Sequence, residues 1–455
     1  MKFRGYLGAS LLSIALLSTS VSGAAALSIT EALTAAYNHA PDLKVAVLEA
    51  KSSAEGIVQA KAGQMPTISA NVSGGYGSSL VGGSWSDGAT SLSTSLEYGQ
   101  NIFDSGATAA RIEAARAGAE VAELRIRTAE QTVFYDVVRA YLDVLAGREL
   151  LALRQDNISF FQAQLQSAQD RLEVGEGTRI DVAQAQARLA QVQATYQASL
   201  GSLREAEARF ETLVGQKPNS LSRGHNVGNM IPRSLDASLA EAESGHPALM
   251  LAKASIRAAQ AGVDLALAGF GPTAGISGSI SSTWGQQGAL SRGQIDAQVG
   301  FRISIPIYSG GATGSRVRQA NLGQIKSEVD ALSAYDGIRE AVIAAWSGIQ
   351  SADAGIGAAQ AAVAASTTVL EGVIQERDLG TKTTLEVLNA QADLTSARES
   401  LISASNNKVL ATFALLSAMG RLTASDLGLP VEIKTALPYT QTVEDVWQEL
   451  RTVAD

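Results

Sequence analysis

The charged residues most able to do chemistry in this sequence lie in two similar stretches, residues 175–187 and 380–392. Each stretch begins with glycine, has threonine three residues later, then a carboxylate at Asp181 or Glu386, and ends in Ala-Gln-Ala. Since glycine can end one helix and threonine can cap the next, each stretch is predicted to form the tip of a helical hairpin. Two tips that each carry a carboxylate suggest the narrow end of a duct.

The rest of the sequence offers no catalytic or metal-binding motif. It contains no cysteine, and His39, His225 and His246 are scattered without the i, i+4 spacing of a helical metal site. One loose Gly-x-Gly-x-x-Ala pattern at residues 269–274 precedes a predicted strand instead of opening a helix, so it does not indicate a nucleotide site. We therefore expect no enzyme activity, cofactor or metal, and the energy for any transport would come from a partner protein.

The N-terminus has the pattern of a secretory signal peptide. Lys2 and Arg4 precede an apolar core at residues 7–17, and a small-residue cleavage site ends at Ala26. This core is too short to span a bilayer, which takes roughly 20 residues. Cleavage after Ala26 would take the net charge from −9 to −11, which argues against nucleic-acid binding. We expect no later transmembrane helix, so a membrane-inserted mature chain would need a β-barrel.

The sequence after the signal peptide repeats one plan at an offset of 205 or 206 residues. Matching pairs include Pro66 and Pro272, Gly106 and Gly311, and Gly215 and Gly420. A steady offset over so much of the chain indicates an internal duplication. The predicted organisation is a signal peptide at 1–26, a first repeat at 27–217, a linker at 218–233, a second repeat at 234–420 and a C-terminal segment at 421–455.

Each repeat is predicted to run as short helix, strand, loop, strand, long helix, tip and long helix. The predicted strands cover about residues 67–76, 91–103, 273–284 and 294–308, and the long helices cover about residues 106–174, 178–214, 311–379 and 383–420. Proline, which breaks helices, is absent from these helical stretches. A helix over residues 106–174 would be roughly 100 Å long, which implies a rod or a tube. The 3, 4 spacing of Leu189, Val192 and Tyr196 indicates coiled-coil packing.

Four predicted strands alternate between apolar and small polar residues. Ile295, Val299 and Phe301, for example, alternate with Asp296, Gln298 and Arg302. Strands of about ten residues with one apolar face are typical of a membrane β-barrel, and a water-soluble sandwich is the alternative. Four strands cannot close a barrel, so several chains must contribute. Two chains would give eight strands and a filled interior, and three would give twelve strands and an open lumen.

The signal peptide, the duplicated plan and the Gly-Thr-x-x-x-Asp/Glu-Val tips resemble the TolC family of outer-membrane export ducts, over essentially the whole mature chain. The resemblance implies a mainly α fold with a membrane β-barrel: a homotrimer with one twelve-stranded barrel and a long helical tunnel in the periplasm. It also implies an exit duct for drugs, toxic small molecules or proteins, in efflux or type I secretion. The expected partners are a periplasmic adaptor, an inner-membrane pump of the RND or ABC type, and outer-membrane lipid. Residues 218–232 and those after Leu429 would form a belt around the tunnel.

The resemblance also assigns site residues. The family closes its tunnel by links between neighbouring tips, and the matching positions here hold Arg377, Lys382, Glu386 and Asn389, with Asp181 on the opposing tip. The resemblance implies that these five form the periplasmic aperture. Because three-fold symmetry would crowd the tip charges around one axis, we expect Arg377 and Lys382 to hold neighbouring hairpins shut through Asp181 and nearby backbone carbonyls. Arg377 and Asn389 depart from the family pattern, which makes strong cation selectivity unexpected. The tip turns expected to contact the adaptor contain Gly175, Thr178, Gly380 and Thr383.

Two other functions remain open at this point. A coiled-coil adhesive or structural surface protein would also need long helices, but it would not need carboxylates at matched tip positions. A passive porin would also need a barrel, but it would not need the long helices. The duplicated tips favour the duct.

Overall fold

The computed structural model describes residues 26–78, 80–85, 88–224, 228–287 and 290–444. The predicted signal peptide up to residue 25 and the last part of the predicted C-terminal segment lie outside the described residues. The helices are α1 (Ile29–His39), α2 (Pro41–Lys61), α3 (Ala107–Glu173), α4 (Arg179–Val214), α5 (Leu235–Gly245), α6 (Pro247–Ala268), α7 (Ala312–Asp378), α8 (Thr384–Ala418) and α9 (Leu437–Val443). The strands are β1 (Thr67–Gly77), β2 (Leu80–Val81), β3 (Ser84–Trp85), β4 (Ala89–Phe103), β5 (Thr273–Gln287) and β6 (Leu290–Ser304).

The two halves of the chain place the same elements in the same order. Helices α3 and α7 both contain 67 residues, and each follows a glycine with left-handed backbone, Gly106 at φ 89° and Gly311 at φ 84°. The observed bounds of the long elements lie within four residues of those expected from the sequence. Strand β6 differs most, beginning and ending four residues early. Its end has a physical reason, because Pro306 has no N–H to donate to the ladder.

The four long strands form one antiparallel sheet in the order β1, β4, β5, β6. The two outer pairs share a register, since Thr67 faces Gly99 between β1 and β4 while Thr273 faces Ser304 between β5 and β6. The duplicated sequence has therefore built two equivalent strand pairs, which are joined where β4 pairs with β5. Among the described residues, β1 and β6 each have a strand partner on one side only.

The sheet has one apolar and one polar face, as the alternating sequence predicts. The apolar face carries exposed side chains from all four strands, including Ile68, Val72, Leu96, Ile280, Trp284, Val299 and Phe301. The opposite face carries serine and threonine together with Glu97, Asp296 and Arg302. An exposed apolar face of this extent marks a surface that contacts lipid or protein.

The long helices form two hairpins. Helix α3 packs against α4, α7 packs against α8, and the hairpins meet where α3 contacts α8. Helix α6, which leads into β5, contacts both α3 and α7. The main core lies partway along the hairpins around Tyr37, Phe134, Tyr141, Phe210 and Phe413. There the Tyr141 hydroxyl donates to the Leu27 carbonyl at 2.6 Å, which ties the start of the chain to α3.

Helix α7 contradicts one expectation from the sequence. It contains an 18-residue window of mean hydropathy 1.2 with at most two charged residues, so by length and composition alone it could cross a membrane. At 67 residues, however, α7 is more than three times the length that a bilayer requires. Only 11% of the window is buried within the chain.

Candidate functional site

Both predicted tips are built on a glycine that ends the preceding helix. Gly175 and Gly380 have φ of 80° and 78°, a left-handed backbone that glycine adopts without strain. The next N–H, from Glu176 or Thr381, donates back to a carbonyl in the last turn of the helix at 2.8 or 2.9 Å. This pattern satisfies helix carbonyls that would otherwise lack a partner and reverses the chain direction.

The second helix of each hairpin begins with a capping box, in which side chain and backbone satisfy each other reciprocally. Thr178 Oγ1 accepts from the Asp181 N–H at 3.2 Å, and the Asp181 carboxylate accepts from the Thr178 N–H at 3.0 Å. Thr383 and Glu386 repeat this arrangement at 3.3 and 2.8 Å. The two tip carboxylates therefore also hold the turns that shape the tips.

Lys382 and Glu386 pair with each other on the second tip. Lys382 Nζ lies 2.8 Å from Glu386 Oε1, one helical turn away. The hydrogen bond from Lys382, followed by the one from the Thr383 backbone, lowers the pKa of Glu386 to about 2. The same contact raises the pKa of Lys382. The pair is thus fully ionised near neutral pH, and its two charges balance within one tip.

Arg377 has partners of a different kind. Its side chain is only 10% exposed, and its Nη1 donates to Gln164 Oε1 on α3 at 2.6 Å. Its Nη2 donates to the neighbouring Asp378 carboxylate at 2.8 Å. Among the described contacts within one chain, neither Arg377 nor Lys382 reaches Asp181, so the expected pairing with Asp181 is not made inside a single chain.

Asn389 also lies between the hairpins. Its Oδ1 accepts from Arg188 Nη2 on α4 at 3.3 Å. The five predicted aperture residues therefore lie on two adjacent tips at one end of the helices. The structure brings Lys382 and Glu386 together, and it directs Arg377 and Asn389 towards the first hairpin of the same chain.

A buried polar cluster between α3 and α8 was missed by the sequence analysis. The Gln391 amide donates to Asn157 Oδ1 at 3.0 Å, and Thr395 Oγ1 donates to the same oxygen at 3.3 Å. All three residues are buried, and the Thr395 hydroxyl also lies 2.9 Å from the Gln391 backbone carbonyl, so these polar groups find their partners within the cluster and its helix. Gln391 lies in the repeated Ala-Gln-Ala stretch, but no local signal identifies its distant partner Asn157.

Each tip also exposes two large apolar side chains. Val174 and Ile180 flank the first glycine turn and are 71% and 68% exposed. Leu379 and Leu385 occupy the corresponding positions of the second tip and are 80% and 36% exposed. Exposed aliphatic side chains at matched positions of both tips offer a contact surface for a protein.

A second polar region lies midway along the helices, beside a cavity of about 550 Å³. Glu130 on α3 borders this cavity, and its carboxylate accepts from the Ala424 N–H at 2.5 Å. Burial raises the pKa of Glu130, and the nearby Arg127 and Lys434 partly oppose that shift. Among the described residues, no group of three His, Asp or Glu side chains is arranged to hold a metal ion.

Comparisons with known proteins match nearly the whole chain. The family model described as outer membrane efflux protein matches residues 32–216 and 239–421, one segment in each repeat. The outer membrane efflux protein BepC of Brucella suis is 34% identical over 438 residues, covering 95% of this chain and 94% of BepC. The outer membrane protein TolC of Escherichia coli is 26% identical over 451 residues, covering 95% and 90%.

The fold itself is also known from crystal structures. The CmeC outer membrane channel of Campylobacter jejuni superposes with a TM-score of 0.74 at 14% sequence identity, covering 92% of this chain and 89% of CmeC. At that identity the likeness shows a shared fold. The structural comparison therefore agrees with the family that the sequence comparisons indicate.

Proposed function

The chain belongs to the outer membrane efflux protein family, and we propose that three copies of it form the exit duct of a tripartite export system. In this assembly a twelve-stranded barrel crosses the outer membrane and the hairpins form a tunnel in the periplasm. An inner-membrane pump of the RND or ABC type supplies the energy, and a periplasmic adaptor joins the pump to the tunnel. Family membership supports this duct over an adhesive stalk or a passive porin.

The four-stranded sheet carries the proposal. Its apolar face is exposed on every strand, which suits contact with lipid, and its opposite face is rich in serine and threonine, which suits a wet lumen. The edges of β1 and β6 have no partner among the described residues, and an open edge in a bilayer leaves backbone groups unpaired. Pairing β6 of one copy with β1 of the next removes both edges, and three copies give a barrel wide enough for an open lumen.

The duplication also gives the register of that pairing. Within the chain, Glu97 on β4 faces Ser279 on β5. In the other repeat, the position equivalent to Glu97 is Arg302 on β6, at an offset of 205, and the position equivalent to Ser279 is Ser73 on β1, at an offset of 206. We therefore expect Arg302 of one copy to lie opposite Ser73 of the next. Both residues lie on the polar face of the sheet, so the transferred register keeps all apolar side chains on one side.

Cysteine cross-linking tests this assembly directly, because the native sequence contains no cysteine. Opposed residues on paired strands have Cβ atoms about 4.5–5.5 Å apart, so mild oxidation of a Ser73→Cys, Arg302→Cys variant should link copies into covalent dimers and trimers. The matched control, Ser73→Cys with Gln294→Cys, moves one thiol eight residues along β6 and should remain monomeric on the gel. Equal cross-linking of both variants, or none, would contradict the proposed register.

The tips have two proposed roles in this duct, as the aperture and as the adaptor contact. The adaptor would bind the tip turns, which include Gly175, Thr178, Gly380 and Thr383, and the exposed aliphatic side chains at both tips favour this role. The charges of Asp181, Lys382 and Glu386, each repeated three times around one axis, would set the electrostatic field of the aperture, with Arg377 and Asn389 beside them.

Charged substitutions at the exposed aliphatic positions test the adaptor contact. The Ile180→Asp, Leu385→Asp variant should form trimers normally but lose export, whereas Ile180→Val with Leu385→Ile should retain both trimers and export.

We propose small hydrophobic molecules as the cargo, supported by the 34% identity to a relative named as an efflux protein. Deleting the gene should then increase sensitivity to bile salts, dyes or hydrophobic drugs. Loss of a secreted protein without increased sensitivity would assign the duct to type I secretion instead. Unchanged growth and unchanged secretion would contradict both roles.

A further inference from the structure

The polar face of the sheet carries one charged side chain at the same place in each repeat, but of opposite sign. Glu97 on β4 and Arg302 on β6 are 205 residues apart, the offset that relates the two repeats, so they occupy equivalent positions. Both side chains are exposed. Among the described residues neither makes an ion pair, so both charges act on whatever fills the space in front of this face.

Small side chains surround each of these two charges. The residues opposite them on paired strands, or two positions along their own strand, are all serine or glycine. They are Ser69, Ser95, Gly99 and Ser279 around Glu97, and Gly275, Gly300 and Ser304 around Arg302. Because serine and glycine are much shorter than glutamate and arginine, the two charged groups project beyond their neighbours on the polar face.

The proposed barrel arranges these two positions as a ring. Glu97 and Arg302 are separated by one strand, β5, within the chain. Once β6 pairs with β1 of the next copy, Arg302 is also separated by one strand from the Glu97 of that copy. Since the two strand pairs are equivalent, three copies place six charges at one height around the lumen, with arginine and glutamate alternating.

We propose that these six side chains form a charged collar in the lumen of the barrel, and that Arg302 is the residue that lets anions pass it. This inference rests on the proposed three-copy duct. Apart from Asp296, which is also acidic, the described side chains of the four long strands add no further charge to the polar face. Among these side chains, Arg302 is therefore the cation that offsets the carboxylates.

The collar acts on mobile ions through the electrostatic potential that it creates in the lumen. Three arginines offset three Glu97 carboxylates at the same height, so neither sign of ion is favoured there. Rings of carboxylates alone select cations, which is the state that loss of Arg302 would produce. The effect should be strongest at low salt, because the Debye length falls to about 10 Å at 0.1 M.

Reversal potentials of the full-length trimer in a planar bilayer, measured under a KCl gradient, test the role of Arg302. Arg302→Gln should raise the permeability of K⁺ relative to Cl⁻. Arg302→Glu, which makes all six charges carboxylates, should raise that ratio several-fold at low salt, and Glu97→Arg should lower it. Arg302→Lys keeps the charge and should behave as the parent. An unchanged ratio for both Arg302→Gln and Arg302→Glu at low salt would overturn the inference.

Two double variants of equal net charge test whether Glu97 and Arg302 share one ring. Arg302→Glu alone should lower the temperature at which the trimer dissociates, because six like charges then repel at one height. Adding Glu97→Arg restores the alternation and should return the parental temperature. Adding Asp296→Arg restores the same net charge, but it acts six residues along β6, about 20 Å away, so the temperature should stay low.

The outcomes separate the collar from the duct. Recovery of the parental dissociation temperature in both double variants, or in neither, would reject a single ring of six charges. If the parent forms trimers and Ser73→Cys cross-links to Arg302→Cys, either result leaves the three-copy duct intact. A parent that forms no trimers would instead reject the duct itself.

Discussion

Arg377 on α7 donates a 2.6 Å hydrogen bond to Gln164 on α3, and so joins the end of one hairpin to the flank of the other. From its charge, Arg377 was also expected to hold neighbouring hairpins shut through Asp181, and that pairing between copies stays a prediction. Its guanidinium is mostly buried and also holds Asp378, so its donors are directed inside its own chain. Arg377 therefore adds a charge-assisted hydrogen bond to the contact between the two hairpins of one chain.

We predict that Arg377→Ala and Gln164→Ala will show a coupling of about 1 kcal/mol in a double-mutant cycle. Either substitution alone already removes the hydrogen bond between the two side chains, so the double variant cannot lose it a second time. Unfolding of the detergent-solubilised protein, followed by helical circular dichroism, measures this. The resting single-channel conductance should not change. The exposed Lys326–Asp330 pair on α7 is the control, with an expected coupling below about 0.5 kcal/mol. Additive effects at Arg377 and Gln164 would contradict the link.

We predict that Lys382→Ser will make the channel more cation-selective. Lys382 neutralises Glu386 on the second tip of each copy, so its removal leaves three uncompensated carboxylates around the proposed aperture. The effect should be largest at low ionic strength, where screening is weakest. Reversal potentials in a planar bilayer under a salt gradient measure this selectivity. Lys382→Arg should behave as the parent, and an unchanged reversal potential for Lys382→Ser at low salt would place the charge pair outside the ion path.

We predict that the second tip loosens in acid. The pKa of Glu386 is about 2 in the folded protein against an ordinary value of 4.5. Its pairing with Lys382 and Thr383 therefore contributes stability above about pH 4.5 and loses it as the pH falls towards 2. Hydrogen exchange of the amides in residues 383–387, corrected for intrinsic rates, should accelerate over that window. In Glu386→Gln the amides should exchange faster at neutral pH and show little further change in acid.

The sequence predicted the local features of this fold well, because their determinants are adjacent in the chain. Glycine at 175 and threonine at 178 lie three residues apart, and that spacing alone specifies a helix end followed by a helix start. Strand faces follow from alternation for the same reason. The constant offset between the repeats then predicts that both strand pairs share one register, and they do.

Contacts between distant helices could not be predicted in this way. Asn157 and Gln391 lie 234 residues apart, and nothing near either residue indicates the other. The contact of Arg377 with Gln164 could not be predicted for the same reason, since a charge pattern does not show which neighbouring helix a long side chain will reach. The window of α7 that resembles a membrane span is another such case, because only the structure shows how little of it is buried within the chain.

We predict that Glu130→Gln will stabilise the protein above neutral pH. Burial raises the pKa of Glu130, so this carboxyl favours the folded state most when protonated, and that contribution is lost as the pH rises through its folded pKa. Glutamine keeps a carbonyl to accept the Ala424 N–H and carries no charge. The unfolding temperature should rise by about 2 °C at pH 8 and less at pH 5. The exposed Glu113→Gln should show no such trend, and equal destabilisation at both pH values would contradict the role of burial.

The cluster of Asn157, Gln391 and Thr395 gives the sharpest stability test, because its members are buried and satisfy one another. Asn157→Ala removes the main acceptor of the buried Gln391 amide, which keeps only a 3.4 Å contact with Thr395 Oγ1, so it should destabilise the protein by about 1–3 kcal/mol. The Thr395 hydroxyl still donates to the Gln391 backbone carbonyl at 2.9 Å. Replacing all three residues by Leu, Leu and Val leaves no polar group unpaired and should return most of that loss. Denaturant unfolding measures both variants, with the exposed Gln162→Ala as a control expected within about 0.5 kcal/mol of the parent. If the triple variant were as unstable as Asn157→Ala, the contact between α3 and α8 would depend here on side-chain shape and not on hydrogen bonding.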